Sequence, residues 1–466
     1  MTRPIAILLA SLAALLIAPL STQAQGARPM SEIDALIEAA ADNAIIVPPP
    51  GRYEGNLRIR KPVIIDGQNQ VTFDGLGKGT VVEIRAKNVT LRNLTVTGSG
   101  DDVHSEPACI RAETGPVRIE GCTLLDAYFG IDLKESPDSY IVGNSVHGKN
   151  LDPERRGDGI RIWWSAGTTI EGNTVSDSRD MVFWYSENIT VARNTVNNSR
   201  YGLHFMYSHN TTLTDNTLSG NSVGIYLMYS NSIRLTRNQM INSRGASGYG
   251  LGLKDCDDII IEGNALLANR VGVYVDNSPS SIGSTGLFKS NLIAFNEVGL
   301  LATPNTHDNV FTGNAFIENE ESAATHGPGR LVSNTFERNG IGNYWSDYAG
   351  IDLDRDGVGD MPYEPRSLFG AMLSAEPNLR LFVHSPAQQA IEFTAKALPE
   401  LRPEPALIDP APLAQPPQFS LSQAAGDRSS LGMLTVAGLL LIVGLGGAAL
   451  LGRTRISVFA RKVNLS

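Results

Sequence analysis

Apolar and polar residues alternate in short runs along most of the chain, and the runs recur at a step of about 22 residues. One run follows a glycine, as in Gly202-Leu203-His204-Phe205 and Gly224-Ile225-Tyr226-Leu227. A period of two is typical of β-strands, and two or three such strands fit into each unit. The pattern therefore predicts an all-β chain that folds as a right-handed parallel β-helix.

Each unit also contains a slot that is usually asparagine. This residue tolerates a left-handed turn, and stacked asparagine side chains can hydrogen-bond along a solenoid. The slot is filled by Cys122 and by a series of asparagines: Asn93, Asn144, Asn173, Asn194, Asn216, Asn238, Asn264, Asn291, Asn314 and Asn334. These eleven positions predict eleven coils of a pectin-lyase-like solenoid over residues 47–341.

The two ends of the solenoid need covers, because an open coil exposes unpaired strand edges. Residues 31–46 are predicted to form a cap helix, with Ser31 as its N-cap, and a lead-in. Residues 342–366 do not repeat and are predicted to close the other end. Residues 367–398 are predicted to contact a partner, and the proline-rich residues 399–430 to form an extended linker.

Two apolar segments predict export and anchoring. Residues 1–24 have the charged start, apolar stretch and small-residue end of a secretory signal peptide. Residues 431–451 carry no charge and are long enough to cross a bilayer as a helix. The basic residues in 452–466 predict that this tail lies in the cytoplasm and that the body lies on the other side of the membrane.

Composition narrows the possible functions. The formal net charge is −10, which argues against nucleic-acid binding because that function usually needs a basic face. The three cysteines allow at most one internal disulfide and leave the choice of pair open.

Outward positions of the glycine-led strands form rows along the predicted solenoid. His204 lies in one row, and the neighbouring row contains Trp163, Trp184, Met206 and Met228. Methionine is unusual at a solvent-facing strand position, and thioether and imidazole groups suit Cu(I). His204, Met206 and Met228 are therefore candidate copper ligands. Alternatively, the two methionines and two tryptophans form an apolar surface for a partner protein.

Beside these rows, Trp164, Tyr185, Tyr207 and Tyr229 form an aromatic ladder, followed by a row of serines. A second metal candidate is the aspartate-rich loop, where oxygen ligands from alternate residues suit Ca²⁺. Its candidate ligands are Asp352, Asp354, Asp356 and Asp360. A plain turn remains the alternative, since the final glutamate of a full EF-hand loop is missing.

Many β-helices cleave polysaccharides with paired carboxylates, and acidic pairs occur at Asp101-Asp102 and Asp257-Asp258. Neither pair has a catalytic histidine or basic pair at repeat spacing. A carbohydrate-binding or polysaccharide-cleaving β-helix at the cell surface therefore stays as the alternative function.

The repeat resembles the NosD family in three places. These are Gly202 to Ser208, Leu227-Met228-Tyr229-Ser230, and the cap motif Gly342-Asn343-Tyr344-Trp345-Ser346-Asp347-Tyr348 that leads into the aspartate-rich loop. The similarity covers roughly residues 31–380.

The resemblance implies a periplasmic accessory protein for maturing nitrous oxide reductase and its copper–sulfide cluster. It implies no bond-breaking chemistry. Its implied partners are the ATPase and permease of an ABC transporter, a lipoprotein copper chaperone and the apo-reductase. Within residues 367–398, the candidate permease contacts are Leu368, Met372, Leu381 and Phe382.

Overall fold

The computed structural model describes residues 26–383 and 385–419. Within them, the strands form three parallel sheets, called sheets 1, 2 and 3 here, and successive strands of the chain pass from one sheet to another. Strands from consecutive coils pair in register, as Met206 does with Met228. The prediction of a parallel β-helix is thus confirmed.

The strands are short in all three sheets. Sheet 1 has fourteen described strands: Arg28–Pro29, Gly51–Glu54, Val71–Asp74, Thr95–Thr97, Thr123–Ala127, Ser145–Gly148, Thr174–Ser176, Thr195–Asn197, Thr217–Ser219, Gln239–Ile241, Ala265–Leu267, Leu292–Ala294, Ala315–Ile317 and Tyr344–Trp345. Sheet 2 has twelve described strands: Ile45–Ile46, Ile64–Asp66, Val89–Arg92, Val117–Glu120, Tyr140–Val142, Thr169–Glu171, Thr190–Ala192, Thr212–Thr214, Arg234–Thr236, Ile259–Glu262, Gly286–Lys289 and Asn309–Thr312. Sheet 3 also has twelve described strands: Leu57–Ile59, Val82–Ile84, Ala108–Ala112, Phe129–Lys134, Ile160–Trp163, Asp180–Trp184, Tyr201–Met206, Val223–Met228, Tyr249–Lys254, Val271–Asp276, Val298–Ala302 and Glu321–Thr325.

The interior is filled by stacked apolar side chains, because each strand turns every second residue inward. Phe183 and Phe205 stack at a centroid distance of 4.2 Å, and Phe288 stacks on Phe311 at 4.4 Å. The three cysteines are also buried, and all three are free thiols whose pKa burial raises to about 12. They are thus core residues with no disulfide between them.

The asparagine slot forms a continuous buried ladder. At each step, the side-chain amide of one asparagine donates to the side-chain oxygen of the next, as Asn216 does to Asn238 at 2.8 Å. Two of the positions predicted for this slot, Asn334 and Asn93, were wrong. The residue that follows Asn314 is Asn343, at 2.8 Å, while Asn334 donates to the Thr306 carbonyl and accepts from Asn309 in a separate pair.

At the other end of the ladder, the paired positions of Thr95 and Thr123 place Leu94 beside Cys122, so Asn93 lies outside the slot. The described sheets contain more coils than the eleven predicted, because the first coils have no asparagine in this position to reveal them.

The N-terminal end is covered by α1 (Ser31–Ala39), which buries Ile33 and Ile37 against the first coils. Met30 occupies the N-cap position, and Ser31 is already inside the helix, so the predicted serine cap is not formed. The predicted cap helix is therefore present, held by apolar burial rather than by a side-chain cap.

The C-terminal end is closed by the strand Tyr344–Trp345 together with residues 405–414. Leu407 is fully buried, and Asp409 accepts hydrogen bonds from Asn343 N at 2.8 Å and Trp345 Nε1 at 2.9 Å. This part of the predicted linker 399–430 thus differs from an extended spacer. The proline content favoured an extended chain, but the carboxylate of Asp409 supplies the last acceptor that the asparagine ladder needs.

Residues 367–398 form α2 (Leu368–Ala375), a 3₁₀ helix (Pro377–Phe382) and α3 (Pro386–Ala397). Two further 3₁₀ turns span Pro153–Arg155 and Pro399–Leu401. Across the described part of the chain, no helix has the length and apolar character of a membrane span. The predicted signal peptide 1–24, span 431–451 and tail 452–466 lie outside the described residues.

Candidate functional site

The outer face of sheet 3 carries three adjacent rows of side chains, since every second residue of each strand points outward. The strand register aligns Trp163 with Trp184, Trp184 with Met206, and Met206 with Met228 on consecutive coils. A second row contains Asp132, Arg161, Val182, His204 and Tyr226. A third row runs through Asp180 and Tyr201.

The second row is more buried than an outward row on an open face. Asp132 is 1% exposed, Arg161 4% and His204 7%. Arg161 binds Asp132 through two nitrogens, at 2.8 and 3.0 Å, and also reaches Glu106 at 2.9 Å in the preceding loop. Such paired and hydrogen-bonded charges tolerate burial, whereas an unpaired charge would not. This end of the face is therefore held by a fixed ion network.

His204 is held by a second ion group. Its Nδ1 lies 3.2 Å from Oδ2 of Asp180, which also binds Arg200. Burial alone would raise the pKa of Asp180, but the hydrogen bonds from His204 and Arg200 hold that pKa below its usual value. Because an ionised carboxylate only accepts, Nδ1 of the imidazole carries the proton.

The other ring nitrogen of His204 has no partner. Nε2 is buried, and no hydrogen bond reaches it from the described residues. The Tyr201 ring packs on the imidazole with a centroid distance of 4.6 Å. A carboxylate on one imidazole nitrogen and a free lone pair on the other is the arrangement that orients metal-binding histidines. Nε2 of His204 can therefore serve as a single metal ligand.

Met206 and Met228 are half-buried neighbours on the adjacent row. His204 lies in the neighbouring row, where it contacts the Asp180 carboxylate and the rings of Tyr201 and Tyr226. The predicted copper ligands therefore lie in two neighbouring rows, with the thioether pair in one and the imidazole in the other.

The row that contains Met206 and Met228, called the methionine row here, also contains two tryptophans with buried N–H groups. The Nε1 atoms of Trp163 and Trp184 are buried and have no hydrogen-bond partner among the described residues. The rings meet edge to face at 6.5 Å, and Lys134 Nζ lies 4.9 Å from the Trp163 ring. Buried indole N–H groups usually find an acceptor, so this surface has unmet bonding capacity.

The predicted aromatic ladder is a continuous stack of four rings. The centroid distances along Trp164, Tyr185, Tyr207 and Tyr229 are 4.8, 5.1 and 4.9 Å. All four residues adopt positive φ, between 48° and 52°, which is uncommon for bulky residues. Trp164 is 55% exposed and Tyr207 39% exposed. The row of serines that follows is buried and hydrogen-bonded from coil to coil, as Ser165 N is to Ser186 Oγ, and therefore belongs to the architecture.

Tyrosines extend this face towards the C-terminal end; strand alternation places Tyr226 and Tyr274 in the row of His204, whereas Tyr249 and His326 were missed. Tyr249 stacks on Tyr274 at 4.4 Å, and His326 packs edge-on to Tyr274 at 6.0 Å. Burial raises the pKa of Tyr226 and of Tyr274 well above the usual value. Tyr249 is the first residue of its strand and lies in the row of Asp180. Its position in the repeat was the only feature of the sequence that could have revealed it.

The aspartate-rich loop brings three of its four candidate ligands together. Carboxylate oxygens of Asp352, Asp354 and Asp356 lie within 4.8 Å of one another, and Oδ1 of Asp352 is buried with no hydrogen-bond partner among the described residues. Asp360 instead accepts a hydrogen bond from the Leu353 N–H at 2.7 Å.

The acidic pairs considered for carbohydrate chemistry are occupied by local contacts. Both carboxylate oxygens of Asp257 accept hydrogen bonds from Ser280 and Ser281, at 2.7 to 3.0 Å. Asp258 accepts from Thr285 N, and Asp102 accepts from Ser105 Oγ. These carboxylates therefore stabilise loops.

The predicted partner-contact segment exposes apolar side chains. Leu381 is 88% exposed, Phe382 49% and Met372 39%, while Leu368 is half-buried. Phe393, which was not singled out in the sequence, is 72% exposed on α3. The segment therefore presents several large apolar side chains to solvent.

Comparisons with known proteins agree on one family. A family model described as a periplasmic copper-binding protein (NosD) matches residues 142–350. A probable ABC transporter binding protein NosD of Pseudomonas aeruginosa is 34% identical over 384 residues, which cover 79% of this chain and 87% of that protein. The protein of the same name from Stutzerimonas stutzeri is 32% identical over 393 residues, or 80% and 87% of the two chains.

Among solved structures, the A-module of the Azotobacter vinelandii mannuronan C-5 epimerase AlgE6 is similar, with 15% identity and a TM-score of 0.49. The match covers 66% of this chain and 93% of that one.

Proposed function

This chain belongs to the NosD family, and we propose on that basis that it is a periplasmic accessory scaffold that binds copper during maturation of nitrous oxide reductase. It would act without bond-breaking chemistry, together with the ATPase and permease of an ABC transporter, a lipoprotein copper chaperone and the apo-reductase. The predicted span 431–451 would anchor it to the inner membrane.

One observation carries the copper part of the proposal. Two thioethers on adjacent coils and a buried, carboxylate-oriented imidazole lie on neighbouring rows of one face, and the imidazole Nε2 has no hydrogen-bond partner in the described part of the chain. These donors fit Cu(I), which prefers soft thioether and borderline imidazole ligands. Copper would be cargo here, held at Met206 and Met228 and at His204 on its way to the reductase.

The test is a Cu(I) titration of the full-length protein against a competing chelator. We expect the double variant Met206→Leu, Met228→Leu to bind copper at least tenfold more weakly than the wild type. Met240→Leu is the matched control, because Met240 is fully buried in the core. Equal affinity of the wild type and the double variant would remove the methionines from the copper site.

The aromatic ladder and the tryptophans of the methionine row support a docking surface beside the copper donors. The same coil position is also left-handed at Glu135, Asp255 and Asn277, so the turn belongs to the architecture, whereas the four aromatic side chains stack into one exposed surface. We expect Tyr185→Ser, Tyr207→Ser to weaken capture of the copper chaperone or apo-reductase at least tenfold. The control Tyr140→Ser removes an equally exposed tyrosine outside this surface. Unchanged capture of both proteins would exclude this surface as the docking site.

The helical segment 367–398 supports contact with the permease. Its exposed apolar residues would be covered in that complex. We expect Leu381→Asp, Phe382→Asp to reduce co-purification of the permease with this protein. Leu353→Asp, at an equally exposed position of the aspartate-rich loop, is the control.

A further inference from the structure

A cavity of about 570 Å³ lies between the last coil of sheet 3 and the helical segment. Its floor is the strand Glu321–Thr325, which ends sheet 3 and pairs with no further strand among the described residues. Its cover is α2 together with the end of the 3₁₀ helix. The cavity is therefore bounded by both the β-helix and the segment that carries the exposed apolar residues.

The lining combines an apolar wall with an excess of acidic groups. Val298, Ala324, Phe369, Leu373 and Val383 supply the apolar part. The charged lining consists of Glu297, Glu320, Glu321, Asp347 and Glu404 against Arg330 and Arg380. Both arginines form ion pairs with other residues of the lining: Arg380 lies 3.5 Å from Glu297, and Arg330 lies 3.8 Å from Glu404.

Glu321 is the acidic group of this lining for which the described residues supply no hydrogen bond or ion pair. Its carboxylate receives no hydrogen bond and forms no ion pair with the described residues, although it lines the cavity. Asp347, by contrast, accepts hydrogen bonds from Tyr363 Oη and Ser322 Oγ. Helix α2 passes close over Glu321, because a Cβ at Gly370 would lie 2.8 Å from its Oε1.

The electrostatic environment of Glu321 follows from this geometry. Burial raises its pKa to about 7, with Arg380 opposing that rise and Glu392 adding to it. A cation beside the carboxylate would replace the lost hydration and favour the ionised form.

We propose that this cavity binds an organic cation, an alkylammonium or guanidinium group, with the Glu321 carboxylate as its counter-ion and the apolar wall around its carbon chain. A metal ion fits less well, since the described residues bring three metal-binding side chains together only in the aspartate-rich loop. The site is independent of the copper donors. A ligand here would touch both the last coil and α2, and so would hold the helical segment in place.

The cation has two possible sources, a free amine or a lysine or arginine side chain of a partner. Cadaverine and agmatine represent the free amines, and N-acetyl-lysine amide and N-acetyl-arginine amide represent the side chains. Isothermal titration of the full-length protein at pH 8 should detect binding of at least one of these pairs, and the tighter pair identifies the source. No binding by any of the four would overturn the proposal.

Two variants link binding to this cavity. Glu321→Gln should weaken binding at least tenfold, whereas Glu318→Gln should leave it unchanged, because Glu318 is exposed on the same coil outside the cavity. Ser374→Phe should abolish binding by filling the cavity while the Glu321 charge is retained. Wild-type affinity in Glu321→Gln or in a folded Ser374→Phe variant would place the cation elsewhere and contradict the proposal.

Discussion

The asparagine ladder and the outer face of sheet 3 use polar side chains in opposite ways. In the ladder, one residue type repeats and every polar atom is matched. Asn216 donates to the Val191 carbonyl at 2.9 Å and accepts from the Asn194 backbone and side chain at 2.9 and 3.0 Å. On the outer face, residues change from coil to coil, and the buried nitrogens of His204, Trp163 and Trp184 have no described partner.

This difference separates architecture from function in a repeat protein. A repeated buried group is satisfied by its own copies, so its pattern needs no ligand to explain it. A buried polar group that occurs once and has no hydrogen-bond partner destabilises the fold, and no neighbouring copy compensates for it. His204 and Glu321 are such single-copy groups, and each lies where a ligand could complete it.

Removing one ladder asparagine should have the largest effect on stability. Asn216→Ala removes the acceptor of the Asn194 backbone N–H and side-chain amide in the core, and unmet buried groups cost about 1–3 kcal/mol each. We expect a loss of about 4 kcal/mol in the free energy of unfolding, measured in urea. Thr217→Ala, on the same coil, should change it by less than about 0.5 kcal/mol. If Asn216→Ala lowers the free energy of unfolding no more than the control does, the ladder does not stabilise the fold.

Substitution of Glu321, which occurs once, should raise the free energy of unfolding rather than lower it. Its pKa is raised from 4.5 to about 7 by folding, so the folded state binds more protons between these values and stability falls as pH rises through them. At pH 8 the cost is roughly 3 kcal/mol. Glu321→Gln should therefore stabilise the protein by about this amount at pH 8, with the gain disappearing near pH 4.5.

Thermal unfolding at the two pH values, without amines, provides the measurement. Glu318→Gln should show no such pH-dependent gain, because its side chain is exposed. A gain that is equal at both pH values would show that ionisation of Glu321 is not its cause.

The sequence predicted the architecture well because the architecture repeats. Alternation gave the strands, and the asparagines gave the coils from Asn144 to Asn314 and the register that aligns Met206 with Met228. Single events were not readable. Asp409 completes the ladder from 66 residues beyond Asn343, inside a proline-rich stretch whose local pattern favours an extended chain.

The candidate site was predictable only in part. The outward rows could be written down from strand alternation, but the burial of His204 depends on Asp180, Tyr201 and the surrounding loops. The cavity at Glu321 could not be inferred, because it is created by helices that pack back onto the last coil from 47 residues downstream, near Leu368. Contacts between segments that share no repeat leave no periodic signal.

Asp180 offers a sharper test of the comparison. Asp180→Asn removes the charge that orients His204, and loss of such a partner usually lowers metal affinity about 10–100-fold. Asp158→Asn is the matched control: Asp158 is equally buried and binds Arg179 through both oxygens, but it does not contact His204. Both variants should lose stability, and only Asp180→Asn should lose Cu(I) affinity in the competition titration. Equal affinities would separate His204 from copper.

The aspartate-rich loop should give the smallest effect. We propose that Ca²⁺ binds where the carboxylates of Asp352, Asp354 and Asp356 converge. The loop is hydrogen-bonded to the segment that carries Asp409. Gly359 N donates to the Pro412 carbonyl, and Ala414 N donates to the Gly357 carbonyl. A cation here would therefore stabilise the end of the repeated ladder through single-copy residues. Removing Ca²⁺ with EGTA should lower Tm by about 2–5 °C, and Ca²⁺ but not Mg²⁺ should restore it. Asp354→Asn should abolish this response, whereas Asp308→Asn should keep it. An unchanged Tm in the wild type would leave the loop as a plain turn, closed by its own backbone hydrogen bonds.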